Sequence, residues 1–371
     1  MATSVVERPA VHRPVSSERR DLLVALAAVW LTAGLFMDGW AHSHVPDLET
    51  FFTPWHAILY SGYAALAVSL VPARVWRGRP QGAMVTWVPA GYGLGLLGAV
   101  MFAVAGACDM MWHIAFGVER DLEALLSPPH LLLLTAGSLM IATPIRAAAA
   151  RGDRRPVQPA VLISAACGTG VAAFFLNYLS PFTDAPAANS GYGNGQPFGL
   201  AECLVYSTLL TTTALFVWSR LGHVPVGLIT LVVAAASVPN GVFDDFENLA
   251  AQLWPLLGAV AADFAVQGVA ARRPRFVPLT VGVALPLAVW PAHLVGVQMS
   301  LGVAWSLELW SGVVALTTLA GAALGALVTP SPAPRGQAAP GRSVQSLSTQ
   351  SLPVQTLAVP EGGSAIDGGD G

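Results

Sequence analysis

The chain has 371 residues, 54% hydrophobic and 11% charged, with a formal net charge of −3 at pH 7. Soluble domains carry about 25% charged residues, so this composition excludes an ordinary water-soluble globule and points to an integral membrane protein. No Gly-rich phosphate loop and no basic nucleic-acid patch occurs in it, which leaves nucleic acid out of the expected partners and puts membrane lipids first.

Residues 1–21 read as a disordered N-terminal tail. Ten apolar segments follow, at about 22–43, 55–73, 87–113, 127–147, 158–180, 198–219, 224–242, 250–270, 276–297 and 305–329. Each is near the roughly 20 residues that a bilayer core requires. The expected fold is therefore an all-α integral membrane protein with about ten transmembrane helices. Residues 22–147 form a four-helix region with a duplicated motif, and 148–329 supply six further helices. Residues 330–371 are rich in Pro, Gly, Ser and Gln and read as a second disordered tail.

The first segment follows Arg19-Arg20, which superficially suggests a twin-arginine signal. Its apolar stretch is too long for a signal core, no convincing small-residue cleavage site follows, and it carries Asp38 and His42, so it reads as a retained helix. There is no lysine, and all 18 basic residues are arginine. They precede the first segment or follow the second, fourth, sixth, eighth and tenth; only Arg120 falls on the opposite side. By the positive-inside rule both termini are expected in the cytoplasm, with the protein in the cell membrane. The three cysteines (Cys108, Cys167, Cys203) have no CxxC spacing, which argues against a disulfide framework or a thiolate metal site.

One motif occurs twice. Asp38-x3-His42 is followed, after thirteen residues, by His56 in Thr53-Pro54-Trp55-His56; Asp109-x3-His113 is followed, after sixteen, by His130 in Ser127-Pro128-Pro129-His130. The two copies lie 71 residues apart, measured between their aspartates. An acid and a histidine four apart share one helical face, so both reach one ion. Thr53 and Ser127 read as N-caps with proline at the first helical position, which places His56 and His130 in the first turn of the next helix. Each hairpin thus offers one carboxylate and two imidazoles at the extracytoplasmic edge of the membrane, where such groups are costly without a function. Two histidines and a carboxylate hold copper, iron or zinc, and ligand type alone does not choose among them. The bland alternative is six helix caps, which leaves the duplicated order unexplained.

Other polar residues map to the same depth. His44, between the ligands of the first copy, reads as a spare ligand or proton carrier. Glu202 and His293 read as second-layer or proton-relay groups, and the Asp244-Asp245-x-Glu247 cluster as a wet loop. Asp263 sits deeper in its segment, where an acid is a functional candidate.

These two hairpins resemble the C subunit of the copper membrane monooxygenases, the particulate methane and ammonia monooxygenase family, over about residues 30–140. Asp38, His42 and His56 match that subunit's Asp-His-His copper site. Asp109, His113 and His130 match its Asn-His-His copper site, with Asp where the family has Asn and a longer spacing to the last histidine. The resemblance implies a copper-dependent oxidoreductase, a monooxygenase that uses dioxygen on a small or lipophilic substrate, with an electron donor and partner subunits; nothing in this chain resembles the family's soluble copper-binding domain. Two other readings stand beside it: a non-enzymatic copper protein for uptake, delivery or cofactor assembly, and a zinc or iron enzyme acting on lipids.

Overall fold

The computed structural model describes residues 13–45, 51–78, 87–117, 121–189 and 195–330. Most of both tails and Arg120 lie outside the described residues. All regular structure among the described residues is helical. In chain order the helices are α1 (Glu18–His44), α2 (Pro54–Leu70), α3 (Ala73–Trp76), α4 (Gly93–Phe116), α5 (Asp121–Leu126), α6 (Pro128–Ile141), α7 (Thr143–Arg151) and α8 (Pro159–Phe175). They continue with α9 (Pro181–Asp184), α10 (Gly195–Leu221), α11 (Leu228–Ser237), α12 (Leu249–Arg272), α13 (Val277–Ser300) and α14 (Leu307–Val328). Among the described residues, seven stretches are long and apolar enough to cross a membrane: α1, α4, α6 with α7, α10, α12, Pro274–Ser300 and α14. Pro159–Phe175 and Leu228–Asp244 are shorter apolar stretches.

Proline sets several boundaries. The stretch expected as one helix over 127–147 is divided at Ala142, where Pro144 enters the first turn of α7, because proline has no N–H to continue the ladder. The segment at 224–242 becomes α11 followed by a 3-10 turn opening at Pro239. At the other end, α1 starts at Glu18, ahead of the expected residue 22. Ser17 caps it, and Asp21 is wholly buried.

Two apolar cores form. One joins α1, α2, α4, α6 and α8; the other joins α8 with α10 to α14. Each hairpin of the duplicated region is closed by a glycine. A Cβ on Gly62 would lie 2.7 Å from the backbone of Leu31, and one on Gly98 would lie 2.7 Å from the Ala136 carbonyl. Only glycine lets these helices meet backbone to backbone, and that contact brings the ends of α1 and α4 to the starts of α2 and α6.

The opposite helix ends are tied by arginine. Arg20 donates to the carbonyls of Leu70 and Val71, and Arg146 to that of Gly91. Arg151 pairs with Asp21, which also accepts a 2.6 Å hydrogen bond from Tyr92. A buried carboxylate with a cation and a hydroxyl on it is satisfied rather than stranded.

Candidate metal centre

Asp38 is near the end of α1 and His42 one turn later. His56 enters from the first turn of α2, held by a hydrogen bond from its backbone N–H to Thr53 Oγ1 at 3.0 Å. His42 and His56 present Nε2 at 3.7 and 3.4 Å from Asp38 Oδ2. In the second copy, His113 and His130 present Nε2 at 3.5 and 3.1 Å from Asp109 Oδ1. Within each triad the three candidate ligand atoms lie within 4.8 Å of one another, close enough to share an ion.

The tautomers are legible from the hydrogen bonds. His56 Nδ1 is 2.7 Å from the Phe51 carbonyl and His113 Nδ1 is 3.3 Å from the Gly117 carbonyl. A carbonyl oxygen only accepts, so both Nδ1 atoms carry hydrogen and each ring turns Nε2 toward its aspartate. In the neutral form that metal ligation requires, lone pair faces lone pair in a buried place. Asp38 Oδ1 and His113 Nε2 are both buried without a hydrogen-bond partner in the protein. Buried polar atoms are rarely left so. A cation between the nitrogens and the carboxylate oxygen removes the conflict, and backbone carbonyls on Nδ1 are the usual way a protein orients imidazole ligands.

The two triads are not separate surfaces. All six residues line a single cavity of about 920 Å³. The ring centroids of His42 and His56 are 5.7 Å apart, those of His56 and His113 6.4 Å, and those of His113 and His130 5.9 Å. The four imidazoles thus run as a chain across both copies of the repeat.

No family model, no curated protein and no solved structure matches this chain.

Ser127 departs from its expected role. It stands at the N-cap of α6, but its hydroxyl makes no capping bond and lies instead 3.0 Å from His130 Nδ1. Orienting the ring has displaced capping the helix. His44 lines the cavity without joining either triad. Its Nδ1 is 3.0 Å from the Trp40 carbonyl, its ring stacks on Trp40, and its Nε2 is 3.7 Å from Asp245.

Glu202 and His293 are in the second core and do not line this cavity. Glu202 is 1% exposed with Oε2 unpartnered, and His293 is packed edge-on against Phe182 and Trp290 with Nδ1 3.0 Å from the Ala251 carbonyl. Asp263 caps α11, accepting from the backbone N–H groups of Ile229 and Thr230 at 3.3 and 2.9 Å. Asp244 accepts from Asn248 and Gln252. Cys167 and Cys203 are buried, whereas Cys108 is exposed beside the buried Asp109.

Tyr60 was not picked out from sequence. It lines the cavity one turn after His56, its ring centroid 6.2 Å from that imidazole, and its hydroxyl is buried without a partner. The i, i+4 spacing from His56 was the available signal.

Proposed function

We propose that this protein is a multi-pass membrane oxidoreductase whose two Asp-His-His triads hold copper and oxidise an apolar substrate with dioxygen. One observation carries the reading. Two triads, each with two Nε2 atoms set against a carboxylate, open into one cavity whose remaining walls are largely apolar. Bound copper would supply one-electron redox chemistry and dioxygen activation, which protein side chains alone do not provide.

The residues themselves have distinct roles. Asp38, His42 and His56 form one ligand set; Asp109, His113 and His130 form the other. Phe51, Gly117 and Ser127 fix the ring orientations of His56, His113 and His130. Leu59, Phe102, Leu133 and their neighbours exclude water, which strengthens every electrostatic interaction inside. Tyr60 lines the same space and carries a buried hydroxyl without a partner in the protein, a proton donor for substrate or product.

The orientation follows from the two ends of α1. Arg19 and Arg20 open it and His42 closes it; at 1.5 Å per residue its 27 residues span about 40 Å, enough to cross a bilayer. On the positive-inside rule the arginine-bearing end is cytoplasmic and the triads face the extracytoplasmic side. Electrons must then come from a donor or partner subunit acting at that side.

The test is elemental analysis of the full chain in lipid nanodiscs, beside His113→Ala, followed by oxygen uptake with a reductant. Copper that falls in the variant, with uptake that falls in parallel, supports the reading. Tyr60→Phe should keep the metal and lose at least tenfold in turnover. Zinc or iron would redirect the proposal to a lipid-modifying metalloenzyme. Copper without oxygen uptake would favour uptake, delivery or cofactor assembly, and no metal after reconstitution would end all three.

A further inference from the structure

The cavity is deeper than the ligands need. On α1, α4 and α6 the lining runs inward from His42 to Leu31, from His113 to Phe102 and from His130 to Ile141. Each run spans eleven residue steps, about 16 Å of helix axis. Beyond the ligands the walls on these helices are Leu31, Leu35, Phe102, Leu133 and Ile141, and Val171 of α8 closes the same space. The six ligands therefore occupy one end of an apolar slot that runs parallel to the helices.

Its volume of about 920 Å³ is roughly thirty times the ~30 Å³ that a water takes in the liquid. A one- or two-carbon gas molecule would leave nearly all of that wall without contacts, and unfilled apolar space forfeits dispersion energy. Pockets of roughly 300–1,000 Å³ hold drug-sized ligands. With C–C bonds near 1.5 Å, a zigzag chain of about a dozen carbons matches the 16 Å length.

We infer that the slot takes an extended, chain-like apolar substrate of about a dozen carbons, lying along α1 and α6 with one end at the six ligands. This rests on those ligands marking the reacting end, but binding in the slot does not require that metal be present. Gly137 is the control point. It lines the slot, and a Cβ there would meet only Phe102 Cε2, at 3.7 Å. A larger side chain at this position would therefore extend into the lumen.

The test uses dodecane carrying a terminal diazirine, photolysed with the full chain in nanodiscs and mapped by peptide mass spectrometry. Wild type should be labelled at slot residues of α6 and α8, with at least tenfold loss on adding excess dodecane. Gly137→Leu should lose that labelling at least tenfold while keeping its metal content, and Gly137→Ala should retain both. Val171→Phe provides a second blocking variant if Gly137→Leu folds poorly. Labelling confined to lipid-exposed positions such as Leu97 and Val100, or unchanged in both blocking variants, would overturn the inference. The metal assay is independent of this outcome. Slot labelling that persists in a metal-free His42→Ala/His113→Ala protein supports the inference even if the oxygenase reading fails. Metal without slot labelling sinks the inference alone.

Discussion

His56 and His113 belong to different copies of the repeat, yet their rings stand 6.4 Å apart in one cavity. Each is fixed by a carbonyl on Nδ1 and each turns Nε2 to its own aspartate. The repeat therefore yields two candidate ligand sets that share a wall. The first prediction concerns stoichiometry. Wild-type protein reconstituted with copper should hold two ions; His42→Ala and His130→Ala should each hold one, and the double variant none. Loss of all metal in either single variant would instead indicate one shared ion.

The six candidate ligands were legible in the sequence because acids and imidazoles are costly in apolar helices and their spacing is periodic. The helical segments were legible for the same reason: composition forces backbone hydrogen bonds to be satisfied within each helix. Sequence depth did not say which bundle a polar residue joins. Glu202 and His293 map to the triads' level but pack in the other core. Asp263 needed its partner, the start of α11, before its role could be read. Tyr60 has an ordinary aromatic environment in sequence, and only the packing of α4 against α2 leaves its hydroxyl without a partner.

Thr53 and Ser127 occupy equivalent positions and should fail differently. Thr53 Oγ1 accepts from the backbone of His56, so Thr53→Ala should cost about 1 kcal/mol of stability through a frayed first turn. Ser127 makes no cap and contacts His130 Nδ1 instead. Ser127→Ala should leave stability nearly unchanged and weaken metal binding roughly 10–100-fold, the usual cost of losing a group that orients a ligand. Thermal unfolding and metal titration of the two variants separate these effects.

Membrane orientation has a direct readout. Ser43 is exposed beside the triads, and Arg154 is exposed at the arginine-bearing end. In a Cys108→Ser background, Ser43→Cys in intact cells should react with a membrane-impermeant maleimide. Arg154→Cys should react only after permeabilisation. The reverse pattern would place the triads on the cytoplasmic side and overturn the proposed topology.

Asp263 tests a structural role against a functional one. It satisfies two backbone donors at the start of α11 and accepts from the Thr230 hydroxyl. Hydrogen bonds to a charged group contribute about 1.5–3 kcal/mol each, and the stranded N–H groups would add to the loss. Asp263→Ala should therefore destabilise the protein by at least about 2 kcal/mol while leaving metal stoichiometry unchanged. A variant that folds normally but loses metal would assign Asp263 to the metal pathway instead.

Asp109→Asn should shift two measurements in opposite directions. In the metal-free protein the Asp109 carboxylate faces the Nε2 atoms of His113 and His130 at 3.5 and 3.1 Å, and His113 Nε2 is buried without a hydrogen-bond partner. A buried unsatisfied group of this kind costs on the order of 1–3 kcal/mol. An amide at the same position can donate from Nδ2 to one of those nitrogens, so the metal-free variant should be more stable by a similar amount. The same change removes the negative charge that balances a bound cation, so metal affinity at the second triad should fall. His113 and His130 would still offer two nitrogens, and their Nδ1 contacts to Gly117 and Ser127 are untouched, so binding should weaken rather than vanish. Asp38→Asn should repeat the pattern at the first triad. Higher metal-free stability with lower affinity would show that each carboxylate is placed for an ion at the expense of the empty protein. Lower metal-free stability would show that a proton, shared between carboxylate and imidazole, already holds the triad together.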